Sequence, residues 1–166
     1  NAIGGVEAAV QHKALSVDHL EEMNEDDFNA LTSGTTMPVV LPSCSFFLSI
    51  PYAPARKMID SGLPVAIATD FNPGSTPSGN MQFAVATACI KMRLTPEESI
   101  NASTLNGAYA IGIAETHGSI TIGKKASFFI TNKIDSYAFM PYSFGTDNID
   151  TVFIKGKAVR FSSLLD

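Results

Sequence analysis

A chain of 166 residues is long enough for one domain with a buried core. Its 45% hydrophobic and 16% charged composition excludes a disordered polypeptide. Eleven Lys and Arg against sixteen Asp and Glu leave a net charge of -5, and no aromatic residues interleave with basic runs, so no nucleic-acid partner is expected.

In chain order, Val6 to His12 reads as the end of a helix and Ala14 to His19 as a short strand. Glu21 to Leu31 reads as a helix, with acids in its first turns where the helix dipole favours them and Gly34 just past its end. Met37 to Leu41 is apolar and β-branched, a second strand. Tyr52 to Asp60 is a helix stopped by Gly62, and Leu63 to Thr69 is a third strand, apolar almost throughout as in a strand buried on both faces. Two longer helices follow, Met81 to Met92 and Thr95 to about Ile111. The second opens on an N-cap threonine and Pro96 at the first helical position, and stops at Gly112. From Gly118 the texture changes to short strands with glycine turns: Ser119 to Gly123, Ser127 to Thr131 and Val152 to Val159. Strands alternating with helices predict βαβ units and a parallel sheet. The expected division is an α/β part over residues 1–112 and a β-rich part over 113–166.

Each of the first three strands ends in polar residues: Asp18-His19, Pro42-Ser43-Cys44, and Asp70-Phe71-Asn72-Pro73-Gly74-Ser75. In parallel α/β folds the ligand site lies at those carboxyl ends. Asp70 reads either as a turn or cap residue or as a functional acid. Directly after an apolar strand it needs a partner, a hydrogen bond or a metal. His19 is open in the same way, a structural histidine or a strand-end catalytic one. His12 is expected in solvent and His117 in a connection. The three histidines contain no His-x-His and no His-x-x-x-His pair, so the chain by itself does not complete a zinc site of the usual kind.

Cys44 and Cys89 show neither Cys-x-x-Cys nor zinc-ribbon spacing and read as reduced, mostly buried thiols. No apolar run reaches the ~18 residues of a membrane span, and no basic stretch leads into a small-residue cleavage site. A cytoplasmic protein without membrane contact is the expectation. The chain opens at Asn1 rather than at a methionine.

Three segments carry a family resemblance. Leu15 to Leu20, Pro51 to Arg56, and Val65 to Ser75 with its Asp-Phe-Asn-Pro-Gly-Ser run resemble the imidazolonepropionases of the amidohydrolase superfamily. Thr95 to Glu98, Thr104 to Ala108, Gly118 to Ile120 and Gly123-Lys124 look like the same family's later segments. Where the superfamily usually reads Ala-Asp-Leu, this chain has Ala126-Ser127-Phe128. The resemblance implies a (β/α)8 barrel with a small β-sandwich. A whole barrel takes about 250 residues, so the chain is expected to be the C-terminal portion, strands six to eight, followed by part of the sandwich. The upstream histidine ligands and catalytic glutamate would then lie outside it.

The same resemblance implies hydrolysis of the ring amide of 4-imidazolone-5-propanoate to N-formimidoyl-L-glutamate, with one zinc or iron ion per site. Asp70 would be metal ligand and proton acceptor, and His19 the partner of the substrate carbonyl. Asn72, Gly74 and Ser75 would bind substrate, and the complete protein would be a homodimer. The alternatives are another cyclic amidohydrolase or deaminase of the superfamily, and a non-catalytic piece serving only in assembly.

Overall fold

The computed structural model describes residues 3–159. Helix α1 (Gly5–Gln11) leads into strand β1 (Ser16–Val17). Helix α2 (Glu25–Ser33) is closed by a reciprocal cap. Asn24 Oδ1 accepts from the Asp27 N–H and Asp27 Oδ2 from the Asn24 N–H, both at 2.9 Å. The helix therefore begins at Glu25 and not at Glu21. Acidic residues suit a first turn electrostatically, but the side chain able to cap the free N–H groups is Asn24, and Glu21 is left in the loop.

Strand β2 (Met37–Val40) is buried at every position. Helix α3 (Pro42–Leu48), unforeseen in the apolar run, follows at once because Pro42 presets the first helical turn. Helix α4 (Ala55–Asp60) stops as expected, with Gly62 at a φ of 82°. Strand β3 (Ala66–Ile67) is shorter than the apolar segment around it. Helix α5 (Met81–Met92) has the predicted ends. The long helix expected from Thr95 is instead two, α6 (Pro96–Ser103) and α7 (Leu105–Ala110). The break falls at Thr104, whose hydroxyl turns back onto the Ile100 carbonyl at 2.6 Å and whose backbone leaves the helical region.

The three strands form a parallel sheet in the order β1-β2-β3, with Ser16 opposite Met37 and Val39 opposite Ala66. Alternation along the strands separates two packed layers. Val40, Val65 and Ile67 meet Leu31, Met58 and Ala84 from the helices, while Met37, Val39, Leu41 and Ala66 meet Cys44 and Ala110 on the other face. Pro38 is tolerated in this central strand. The Met37 N–H bonds the Leu15 carbonyl on the β1 side, so the missing N–H of Pro38 faces β3 ahead of the first paired residue there.

The second part holds an antiparallel sheet of β4 (Phe128–Thr131), β5 (Ile149–Ile154) and β6 (Lys157–Val159), with a short helix α8 (Phe139–Tyr142) before β5. Phe128 and Phe153 stack across the β4–β5 pair. The predicted strand at Ser119–Gly123 does not form. Ile120 and Ile122 alternate as a strand would, but both are exposed, and the Lys124 N–H closes a turn onto the Thr121 carbonyl. Ser127, in the segment that departs from the superfamily pattern, accepts the Lys155 N–H on its hydroxyl at 3.1 Å. Among the described residues no helix is long and apolar enough to cross a membrane.

Candidate active site

Because the strands run the same way, their carboxyl ends deliver Asp18 and His19, Pro42 to Cys44, and Asp70 to one end of the sheet. His19 and Asp70 share a further property. Each sits in the left-handed region, at φ values of 58° and 56°. That conformation costs an L-residue roughly 1–2 kcal/mol, and it persists where neighbouring contacts hold the backbone.

Those contacts are visible beyond Asp70. The Asn72 side chain is the hub of the loop. Its Oδ1 accepts from the Gly74 and Ser75 N–H groups at 2.9 and 2.8 Å, and its Nδ2 donates to the Asp70 carbonyl and to Ser75 Oγ, both at 2.7 Å. All four hydrogen bonds of the amide are thus used inside the loop. Asn72 and Thr76 also pair through their backbones. Ser75 Oγ then donates to Asp70 Oδ2 at 2.9 Å. Three of the expected site residues, Asp70, Asn72 and Ser75, are one hydrogen-bonded unit, with the Gly74 N–H tied into it.

Two further groups close on Asp70. Burial pushes the Cys44 thiol up, and the Asp70 carboxylate adds to this, against Ser75 and Thr76. Burial likewise raises the Asp18 carboxyl above the ordinary range; the His19 ring opposes that rise and the Asp70 carboxylate reinforces it. Asp18 therefore stands between the two expected catalytic residues electrostatically. The His19 ring is 55% exposed, with Nδ1 3.8 Å from Oε2 of Glu21. Beside it lies a cavity of about 220 Å³ lined by Val17, Asp18, His19, Leu20 and Met23 among others. A larger cavity of about 550 Å³ sits near Thr36, Leu63 and Tyr109 and contains no carboxylate, histidine or cysteine. His12 is exposed at the end of α1, and His117 pairs with its neighbour Thr116 at 2.8 Å, both away from this cluster.

Asp18 and Asp70 bring two carboxylates to one end of the sheet, and carboxylate oxygens are donors that a divalent cation takes. Asp70 suits that role as an anionic oxygen donor. Among the described residues, however, no group of three or more His, Cys, Asp or Glu is placed to hold an ion.

Residues 7–159 match the amidohydrolase family. The chain belongs to that family. This amidohydrolase is 64% identical over 159 residues to an imidazolonepropionase of Christiangramia forsetii and 65% identical over 159 residues to one of Flavobacterium johnsoniae. Each match takes in 96% of this chain and 39% of the relative, so the chain spans about two fifths of the length of the curated relatives it matches. An adenosine deaminase from Xanthomonas campestris, solved with bound zinc, superposes with a TM-score of 0.78 at 23% identity, over 86% of this chain and 36% of that one. At that identity the likeness shows the fold of an amidohydrolase chain and nothing finer. Sequence reasoning placed Asp18 and Cys44 at the strand ends without giving either a role, and passed over Glu21, which the fold sets beside His19. Asp18 had a signal in its place beside His19, whereas Glu21 was masked by its resemblance to a helix-start acid.

Proposed function

We propose that this chain is the C-terminal portion of an imidazolonepropionase, carrying strands six to eight of a (β/α)8 barrel in residues 1–112 and part of a β-sandwich in residues 113–166. The observation that carries the reading is the 64% identity over 159 residues to a relative of that name. The reaction is hydrolysis of the ring amide of 4-imidazolone-5-propanoate. Water adds to the ring carbonyl carbon, the C–N bond breaks, and N-formimidoyl-L-glutamate leaves.

A zinc or iron ion bound there would acidify a water and polarise the carbonyl. Asp70 would be one of the residues holding it and would accept the proton of the attacking water, which passes to the departing ring nitrogen. Ser75 and, through it, Asn72 hold the Asp70 carboxylate in place. His19 donates a hydrogen bond to the carbonyl oxygen as negative charge develops there. The loop of Asn72, Gly74 and Ser75 walls the substrate. The complete protein is a cytoplasmic homodimer that uses a small-molecule substrate and binds neither nucleic acid nor membrane.

The test is loss of the imidazolone absorbance, with zinc or iron added, by the full-length protein and by this chain alone. The full-length protein is expected to turn over, and the isolated chain, short of ligands, to be inactive. A full-length protein that ignores the imidazolone and deaminates a purine overturns the assignment.

A further inference from the structure

Glu21 lies two residues beyond His19, in the loop between β1 and α2, where it caps no helix. Its side chain is only 10% exposed. Oε1 is buried and, among the described residues, has no hydrogen-bond partner, while Oε2 stands 3.8 Å from His19 Nδ1. A carboxylate taken out of water without full pairing is unfavourable, and such groups are kept where a nearby cation or N–H donor needs them. The facing group here is an imidazole on a backbone already held at positive φ. A separation of 3.8 Å is ion-pair range rather than a hydrogen bond, and catalytic hydrogen bonds commonly tighten only once substrate is bound. Asp18 also acts on the ring through its charge, but the close approach to a ring nitrogen is made by Glu21.

We infer that Glu21 is a positioning residue for His19, its carboxylate taking the Nδ1–H of the ring so that the Nε2–H is presented to the substrate carbonyl. The inference rests on the reading of His19 as the carbonyl's partner. A carboxylate on the far nitrogen fixes the ring orientation and offsets the positive charge of a ring that carries both protons. This is a role for a charged acceptor, which a neutral amide of the same shape fills poorly.

The experiment is a double-mutant cycle in the full-length protein with Glu21→Gln, His19→Asn and the pair, each checked for an unchanged melting profile. Glu21→Gln is expected to lower kcat by about ten- to a hundredfold with little change in KM, and to cost nothing further in the His19→Asn background. Asp26→Asn, the same charge change on an exposed residue of α2, is expected to leave kcat unchanged. Nitrogen-15 spectra of the His19 ring provide a readout independent of turnover, and Glu21→Gln is expected to move its Nδ1 signal. Additive losses in the cycle, or an unmoved Nδ1 signal, overturn the inference. Full turnover by Glu21→Gln beside a crippled His19→Asn also overturns it but leaves the reading of His19 standing. Full turnover by His19→Asn removes both.

Discussion

At the scale of single residues, the loop after β3 makes Asp70 the group to change first. Asp70→Asn keeps the shape and one donor oxygen but removes the charge and the proton acceptor. Its kcat in the full-length enzyme is expected to fall at least about a hundredfold at saturating metal, measured by steady-state turnover with metal content checked. Ser75→Ala is a different case from a simple substrate contact. Its hydroxyl is spent on Asp70 Oδ2 and on Asn72, so removal loosens the acid itself. A kcat reduced by about ten- to a hundredfold, rather than a raised KM alone, is the expected result in the same assay. A Ser75→Ala protein with normal kcat and weakened KM would return the hydroxyl to the role of a substrate contact.

At the scale of elements, α4 and α6 are tied by a well-formed polar link. Arg56 on α4 donates to both carboxylate oxygens of Glu98 on α6, at 2.8 and 3.0 Å, while the same Glu98 accepts the Thr95 N–H in a capping box at 2.8 Å. The Arg56 hydrogen bonds, foremost, hold the Glu98 carboxyl below its usual range. A folded pKa below the unfolded one contributes stability that is present above the ordinary glutamate value, about 4.3, and is lost as pH falls through the depressed folded value. Glu98→Gln is therefore expected to melt earlier than the parent at pH 7, with the difference closing in strong acid. Thermal melts of both proteins across that range check the sign; a difference that grows in acid would contradict it.

At the scale of the whole molecule, the return segment is seated by close contact. Gly118 has a φ of 88°, and a Cβ there would lie 2.7 Å from the Ala108 Cβ and 3.1 Å from the backbone of Thr104 and Leu105. Gly118→Ala adds strain and overlap together, and a loss of roughly 1–3 kcal/mol is expected, read by denaturant unfolding. The sheet is open at β1, and Leu15, Phe46, Phe47 and Phe71 are all more than half exposed. Open apolar strand edges pair with other chains. The isolated 166-residue chain is accordingly expected to self-associate as its concentration rises, which sedimentation or light scattering measures. A strictly monomeric species at high concentration would speak against an interrupted sheet.

Local signals in the sequence were enough for much of this. Hydrophobic alternation, Pro96 after Thr95, and the glycines at 34, 62 and 112 locate helices and strands because caps and periodicity act within a few residues. The Asp-Phe-Asn-Pro-Gly-Ser run likewise marks its loop, since Asn72 bonds only to residues within four positions of itself. What lies between segments was not legible. Whether Glu21 starts a helix depends on which side chain captures the free N–H groups, and Asn24 does. Whether Ser119–Gly123 is a strand depends on a partner for its backbone, which alternation alone does not supply. That Asp18, Cys44 and Asp70 share one end of the sheet followed from expecting parallel strands, but the register that sets them side by side was decided only by the pairing of β1, β2 and β3, because residues 26 positions apart in sequence meet through strand pairing and not through any local preference.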